Sequence, residues 1–382
     1  SEGAGSTANL TNVYVVKTDI ENCVDLQNIR YAPSATFTVK NNIDCSVLDT
    51  ADGGQGFIPI TEFGGELNGA GYEISNLTID RKFTNEVGLF GYVYGNAYIH
   101  DFSLANVNVS GNEGVGAVAG VAEDEYVIEN IAIGGVVTGY YGVGGVVGET
   151  YSDGYSPTIS QIDSTVLLQG YAAENSSTMG GIIGDAEQYN GIANITDITV
   201  DITADDDLNQ NNVGGVIGWA MTQYGGNITV DRADVSGVIS VNDIAGGVIG
   251  SAYGNSEGFN VLISVQHSSS SVSVSANSTV GGIVGGIDTG DFGLLSVRNS
   301  HSSGDVQARD GDYVGGILGY ASQSSNGTVQ FDKVYASGDI GSEFGSEVGG
   351  LIGSSIVGTY IYDSYANADV FGDQFVGGIG GV

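Results

Sequence analysis

The fold is decided by a six-residue unit, clearest in VGGVVG (Val143–Gly148), VGGVIG (Val213–Gly218) and VGGIVG (Val280–Gly285). The unit places glycine after a small or apolar residue, then a variable residue, two apolar residues and a second glycine. Ten copies occur, 28 to 36 residues apart, and this period is typical of solenoids and propellers. The copies begin at Val87, Val115, Val143, Met179, Val213, Ala245, Val280, Val314, Val348 and Val376.

The segments between the copies have strand chemistry. Asn106–Ser110, Ile195–Ile202 and Val272–Ser275 are rich in β-branched residues and are bounded by Gly, Asn, Asp and Ser. Helical repeats are excluded because good helix formers are scarce, and a four-stranded propeller blade needs roughly 40–45 residues. We therefore predict an all-β fold, a parallel β-solenoid (β-helix) of about ten coils with one copy of the unit per coil.

The conserved chemistry within the unit predicts how the coils stack. The paired glycines should lie at a corner, where the backbone adopts a positive φ or the next coil approaches closely. The two apolar residues after them should form a ladder down the core. Examples of these apolar pairs are Val146–Val147, Ile182–Ile183, Val216–Ile217 and Ile283–Val284.

The unit, followed by a strand and by turns such as Ser364–Ala366 or Tyr335–Asp339, resembles the GLUG repeat family. The resemblance covers residues 87 to 382. Those repeats occur in large secreted and cell-surface bacterial proteins, including adhesins and some surface peptidases, outside the catalytic domain of the peptidase. The resemblance implies an extracellular, cell-surface location and brings no catalytic residues with it.

The net charge limits the classes of partner. Forty-five acidic and 9 basic residues in 382 give a net charge of −36. Nucleic acid and anionic membrane surfaces would be repelled by this charge. No run of 18 apolar residues is present, so we predict no membrane span.

Residues 1–86 lack the repeat and should form an N-terminal cap that merges into the first coils. They hold five of the nine basic residues, which are Lys17, Arg30, Lys40, Arg81 and Lys82. They also hold Cys23 and Cys45, which are too few and too far apart for a zinc site or a CxxC motif. A disulfide and two free thiols are the alternatives, and an oxidising extracellular setting favours the disulfide.

Residues 87–382 should form the repeat region, with an uncapped C-terminal end. The sequence stops at Val382, inside the tenth copy. Either it is a fragment of a longer stalk, or the bare end is covered by another subunit. If subunits stack head-to-tail, the candidate assembly residues are Val13, Val15, Val376, Ile379 and Val382.

The sequence offers no catalytic motif. The three histidines stand singly, and no serine-nucleophile, HExxH or phosphate-binding pattern occurs. From residue 83 onward the basic residues are Arg232, Arg298, Arg309 and Lys333, too few for a uronate lyase. With 45 acidic residues, a carboxylate pair suited to a glycosidase carries no information. We therefore predict that the chain is not an enzyme.

Calcium is the one cofactor that the sequence suggests. Asp205, Asp206 and Asp207, and separately Asp310 and Asp312, offer hard oxygen ligands in predicted loops. A solvated acidic surface is the alternative interpretation, and the calcium-binding nonapeptide repeat is absent.

Eight Asn-x-Ser/Thr sequons are candidate glycosylation sites, an excess that is slight for this composition. They lie at Asn9, Asn76, Asn108, Asn175, Asn194, Asn227, Asn277 and Asn326.

These observations predict an extracellular structural protein, either the stalk of a cell-surface adhesin or the subunit of a self-assembling filament. A filament would be held by head-to-tail stacking and, because the cap is relatively basic, should weaken in high salt. The alternatives are a carbohydrate-binding adhesin using tyrosines 140, 141, 151 and 155, and a phage tail fibre or glycan-degrading β-helix. The expected partners are accordingly a second copy of the chain, or a glycan or protein of a host surface.

Overall fold

The chain winds into a parallel β-solenoid of about ten coils, which confirms the predicted fold class. This computed structural model describes residues 16–171, 177–206, 211–255, 260–290, 293–311, 313–322 and 326–381. Within these residues the helical elements are confined to the N-terminal section. They are α1 (Cys23–Gln27) and the 3-10 turns Asn28–Tyr31, Ser46–Leu48 and Asp52–Gly54.

The strands are short at both ends of the rod and longest in its middle. Those of the first half are β1 (Asp19–Ile20), β2 (Thr36–Val39), β3 (Ile43–Asp44), β4 (Glu66–Ser75), β5 (Thr78–Asp80), β6 (Phe90–Val93), β7 (Ala97–Ser110), β8 (Glu113–Gly116), β9 (Ala119–Glu123), β10 (Tyr126–Gly139), β11 (Tyr141–Gly144), β12 (Val147–Asp153), β13 (Thr158–Gly170), β14 (Ser177–Gly180) and β15 (Ile183–Asp206). Those of the second half are β16 (Asn211–Gly214), β17 (Ile217–Val241), β18 (Ile244–Gly246), β19 (Ile249–Asn255), β20 (Val261–Gln266), β21 (Ser269–Ser270), β22 (Ser273–Ala276), β23 (Thr279–Gly281), β24 (Val284–Asp288), β25 (Gly293–Arg298), β26 (His301–Ser302), β27 (Val306–Ala308), β28 (Tyr313–Gly315), β29 (Leu318–Ser322), β30 (Thr328–Asp332), β31 (Tyr335–Gly341), β32 (Glu347–Gly349), β33 (Ile352–Ser355), β34 (Gly358–Tyr362), β35 (Tyr365–Phe371) and β36 (Phe375–Gly377).

Each coil of the solenoid contains one copy of the repeat unit, as predicted. The first residue of each copy pairs with the first residue of the next, so that Val143 lies between Val115 and Met179. The same register continues to the last copy, where Val348 pairs with Val376. These residues form a nine-stranded parallel sheet made of β8, β11, β14, β16, β18, β23, β28, β32 and β36.

A larger parallel sheet forms the other faces of the rod, and it includes the N-terminal section. Strand β2 pairs with β4, and β4 pairs with β7. In the middle coils Ile131 of β10 lies between Phe102 and Ile162. Stacked strands therefore begin before residue 87.

The apolar pairs of the repeat unit line the core. Val146, Val147 and Ile182 have no exposed surface, and Ile183 is almost completely buried. Each pair bonds to the next through the backbone, as where the Val146 and Val147 amides both donate to the Ile182 carbonyl. The predicted ladder is confirmed.

The paired glycines are required by close approach and not by a positive φ. Neither Gly144 nor Gly145 lies in the left-handed region. A Cβ on Gly144 would lie 1.8 Å from the carbonyl oxygen of Val147, and a Cβ on Gly145 would lie 2.1 Å from that of Gly181. A side chain at Gly145 would therefore push neighbouring coils apart, and one at Gly144 would clash within its own coil.

The left-handed conformation occurs instead in a column of non-glycine residues at another corner, which we call the corner column. Strand register places its nine members one above another, with φ between 46° and 61°. Neighbours are joined by side chains, since Arg232 donates to both carboxylate oxygens of Asp197 at 2.6 and 2.8 Å. The members are Asp101, Asn130, Gln161, Asp197, Arg232, His267, Asn299, Lys333 and Asp363.

Candidate functional site

A groove runs beside the nine-stranded sheet in the middle coils, and its walls come from β11, β12 and β15. Parallel pairing of β12 with β15 places Glu149 beside Asp185 and Tyr151 beside Glu187. Alternate residues of a strand point to opposite faces. Thr150 separates Glu149 from Tyr151 along β12, and Ala186 separates Asp185 from Glu187 along β15. The groove encloses about 250 Å³. We call it the acidic groove, and it is lined by Val121, Tyr141, Glu149, Thr150, Tyr151, Asp185 and Glu187.

Glycines make room for the Glu149 side chain. Gly114 and Gly142 both have a positive φ, 62° and 59°. A Cβ on Gly142 would lie 2.5 Å from Cγ and Oε1 of Glu149. The Glu149 carboxyl therefore rests against backbone that only glycine leaves open.

Asp185 is the most buried acid of the groove, with 4% of its surface exposed. Its Oδ2 accepts a hydrogen bond from the Tyr141 hydroxyl. Its Oδ1 is buried and has no hydrogen-bond partner. An unsatisfied buried oxygen is costly, and Asp185 Oδ1 retains an unused capacity to accept a hydrogen bond.

Burial and mutual repulsion shift the titration of these acids. Burial raises the pKa of Asp185 to about 8, although the Tyr141 hydrogen bond opposes the shift. Burial, with the charges of Glu113 and Glu187, raises the pKa of Glu149 to about 7. Burial and the Asp185 charge also raise the pKa of Tyr141. Near neutral pH the groove therefore holds protons on carboxyl groups that would be ionised in water.

Aromatic rings continue along one side of the acidic groove. The rings of Tyr151 and Tyr189 lie 5.2 Å apart, and those of Tyr189 and Tyr224 lie 6.1 Å apart. The Tyr189 hydroxyl donates to Glu187 at 3.0 Å. Three successive coils thus present a line of phenol rings beside the carboxylates.

The same side of the rod has a second, more apolar pocket of about 230 Å³ two coils further on. Strand register places Trp219 next to Asp185 and Ser251 next to Trp219. Trp219, Tyr253 and Tyr320 line this pocket.

The two cysteines form the predicted disulfide. The Cα atoms of Cys23 and Cys45 lie 5.1 Å apart, and both side chains are buried. The bond ties α1 to the turn that follows β3.

The calcium prediction stays untested. The side chains of Asp205 and Asp206, and all of Asp207 and Asp312, lie outside the described residues. Asp310 is exposed. In the part of the chain that the structure describes, no three His, Cys, Asp or Glu residues are grouped so as to hold a metal ion.

Six of the eight sequons fall on described residues, and Asn9 and Asn175 do not. Asn108 and Asn326 are exposed. Asn76, Asn194, Asn227 and Asn277 are partly buried, and the Asn277 amide donates to the Asn242 side chain.

The four tyrosines proposed for carbohydrate binding do not form one ladder. Tyr140 packs against Tyr171, with Lys82 4.2 Å above the Tyr171 ring. Tyr141 bonds to Asp185 inside the acidic groove. Tyr151 packs at a tilt against Tyr189, and Tyr155 is exposed.

Two of the five assembly candidates are described, and Val13, Val15 and Val382 are not. Val376 is 41% exposed and Ile379 is 43% exposed. Val348 and Leu351, which occupy the same positions one coil earlier, are completely buried. The last described coil therefore presents core residues to solvent.

The acidic groove was not predicted, although its signal is visible in the repeat. The residue after the last glycine of the unit is Glu149, Asp185 and then Trp219 in three successive copies. Acids at one position of adjacent coils must lie side by side.

Comparisons with known proteins find similarity to the IgA1 proteases and to halomucin. Residues 7–135 match the model of the N-terminal region of the M26 IgA1-specific metallo-endopeptidases. Halomucin of Haloquadratum walsbyi is 37% identical over 146 residues, 36% of this chain and 2% of halomucin. The immunoglobulin A1 protease of Streptococcus pneumoniae serotype 4 is 25% identical over 193 residues, 50% of this chain and 9% of the protease.

Among solved structures, a Bacteroides ovatus protein provisionally assigned to the immunoglobulin A1 proteases matches with a TM-score of 0.41. It is 18% identical, over 74% of each chain. The chain spans only a small fraction of the length of the curated relatives named above, halomucin and the pneumococcal protease.

These matches contradict the prediction that the chain is not an enzyme, since they point to a protease-related family. The family-model match and the IgA1 protease relatives relate it to metallopeptidases. The matched model is that of the N-terminal region of the family. The resemblance to GLUG repeats stays a prediction. In the described residues no helix is long and apolar enough to cross a membrane.

Proposed function

We propose that this chain is an extracellular β-solenoid spacer, the stalk of a surface protein related to the IgA1 proteases. Its relatives include halomucin and several IgA1 proteases, of which it matches small fractions. A spacer must be stiff, and axial hydrogen bonds join each coil to the next throughout the described residues.

The single observation that carries this proposal is the unbroken parallel stacking of the coils. From Val115 to Val376, the first residue of each repeat unit pairs with the first residue of the next. Each of these coils is therefore bonded to its neighbours through the backbone, which a stiff spacer requires. In the filament alternative, the exposed side chains of Val376 and Ile379 would contact a second copy of the chain.

Electron microscopy and light scattering of the purified chain test the proposal. We expect straight particles of one length and width, since the twelve stacked strands from β1 to β34 make eleven steps of about 4.8 Å, or roughly 53 Å of rod. Particles that vary in curvature would contradict a spacer.

The filament version is tested by a concentration series with matched variants. If copies stack, the wild-type mass grows with concentration, and Val376→Asp with Ile379→Asp abolishes growth. Phe83→Asp is the control, because Phe83 is 87% exposed in the N-terminal section. A wild-type chain that stays monomeric at the highest concentration would exclude the filament and leave the stalk.

A further inference from the structure

The acidic groove combines an unpaired buried oxygen with carboxyl groups on neighbouring strands. Asp185 Oδ1 is buried without a partner, and the adjacent Glu149 is held in place by glycine backbone. The groups that face these two carboxyls are Tyr141 from β11, Glu113 from β8, Glu187 from β15 and Glu86 from the loop before β6. Among the described ion pairs, none brings a lysine, arginine or histidine to Glu149, Asp185 or Glu187. Once Glu149 and Asp185 are ionised, the groove therefore carries negative charge that no described ion pair neutralises.

We propose that the acidic groove binds the guanidinium group of an arginine side chain on a partner polypeptide. A guanidinium is planar and presents several N–H donors that match carboxylates on neighbouring strands. It is also more weakly hydrated than an ammonium group, which suits a partly buried site. The unpaired Oδ1 of Asp185 would accept one of these bonds.

The aromatic wall favours the same ligand. Tyr151 lines the groove, and its ring lies against Tyr189. Arginine stacks on aromatic faces, which adds attraction to the charge pairing. The volume of about 250 Å³ admits a side chain but not a folded domain, so the arginine must come from an extended segment or a loop.

Other ligand classes fit the groove less well. An anion would face uncompensated carboxylates. The described residues provide no three-ligand group for a metal ion. A neutral sugar would stack on Tyr151 but would leave the negative charge of the groove uncompensated.

The site predicts how binding depends on pH. A guanidinium stabilises the ionised forms of Glu149 and Asp185, so binding must release protons when the carboxyls start protonated. Since burial raises both carboxyl pKa values, to about 7 and about 8, affinity should increase as pH rises from 6 to 9.

The test uses the full chain and the peptide acetyl-Gly-Arg-Gly-amide, with citrulline and lysine versions as controls. Titration by NMR or calorimetry should show saturable binding of the arginine peptide, at least tenfold tighter at pH 9 than at pH 6. The citrulline peptide, which is isosteric and neutral, should not bind. A lysine peptide that binds equally well would contradict recognition of guanidinium.

Variants assign the binding to the groove. Asp185→Asn and Glu149→Gln should each weaken binding at pH 9 at least tenfold. Asp163→Asn is the matched control, because Asp163 is an exposed acid on neighbouring strand β13. Equal loss with Asp163→Asn would indicate attraction to the overall charge and overturn the site.

Two further titrations separate the other ligand classes. Binding of maltohexaose that is lost in Asp185→Asn, with no arginine binding, would assign the groove to a glycan. A rise in melting temperature with Ca²⁺ that Asp185→Asn abolishes would assign it to a metal. Melting of each variant without ligand verifies folding, and none of these results depends on whether copies of the chain assemble.

Discussion

The corner column shows how single residues accept an unfavourable conformation when the stack demands it. A left-handed backbone costs a non-glycine residue about 1–2 kcal/mol. Asn and Asp tolerate it best, and Asn130 also donates to the Asp101 carboxylate. Lys333 has the same geometry, with φ of 55°, but its long side chain brings no such local hydrogen bond.

Lys333 is therefore a position where glycine should stabilise the protein. We expect Lys333→Gly to raise the free energy of unfolding by up to about 1 kcal/mol, because relief of left-handed strain exceeds the entropy cost of glycine. Lys333→Val should lower it, because a β-branched residue tolerates this φ least. Urea unfolding measures the free energy of unfolding of both variants. A Lys333→Gly variant that is less stable than the wild type would contradict the left-handed strain assigned to Lys333.

The acids of the groove should make stability depend on pH. Asp185 and Glu149 have raised pKa values in the folded chain and values of about 4 when unfolded, so the folded state binds more protons between these limits. Stability should then fall as pH rises from 5 to 9, because the unfolded chain releases these protons at lower pH than the folded chain does.

Thermal melting across this pH range measures the effect. The double variant Asp185→Asn with Glu149→Gln should flatten the decline, whereas Asp163→Asn should retain it. A steep decline that survives in the double variant would place its origin elsewhere.

At the scale of elements, the spacing between coils is maintained by backbone contact. Gly145 lies within reach of the Gly181 carbonyl, so Gly145→Ala should cost about 2–3 kcal/mol through overpacking. Gly134→Ala is the matched control, because the nearest atom to its added Cβ would be 3.9 Å away. Chemical denaturation compares the two, and equal effects would contradict the role of close approach.

The coil could be predicted from the repeat unit because the unit repeats one local pattern ten times. In this pattern a glycine packs against a backbone carbonyl and an apolar pair lies in the core. The corner column was not predictable in the same way. Arg232 has little preference for a left-handed backbone, and only its register with Asp197 shows why it adopts one. The acidic groove was equally hard to predict, because it forms only where particular coils lie side by side.

At the scale of the whole molecule, some basic residues of the N-terminal section are paired with acids of the same section. Lys17 pairs with Glu21 and Asp25, while Arg81 pairs with Asp52 at 2.6 Å. Such exposed pairs contribute little to stability, but they lower the positive charge that the section could offer another subunit. These ion pairs therefore weaken the argument that head-to-tail stacking of subunits should be sensitive to salt.

The disulfide should act on the first coils alone, because each coil contacts only its neighbours. Cys23→Ser with Cys45→Ser removes a cross-link of 22 residues, for which the chain-entropy model gives about 3 kcal/mol. We expect hydrogen exchange to accelerate in β2 and β4 and to stay unchanged in β28. Acceleration along the whole rod would show that the chain unfolds as one unit.

The stacking of one repeat per coil also determines how the molecule yields to a pull on its two ends. Coils would peel away one at a time, and each would release about 32 residues, or roughly 110 Å of chain at about 3.5 Å per residue. A tether of this kind lengthens in steps at a nearly constant load and so dissipates energy. On a cell exposed to flow, such a segment would absorb a sudden increase in force before its attachment broke.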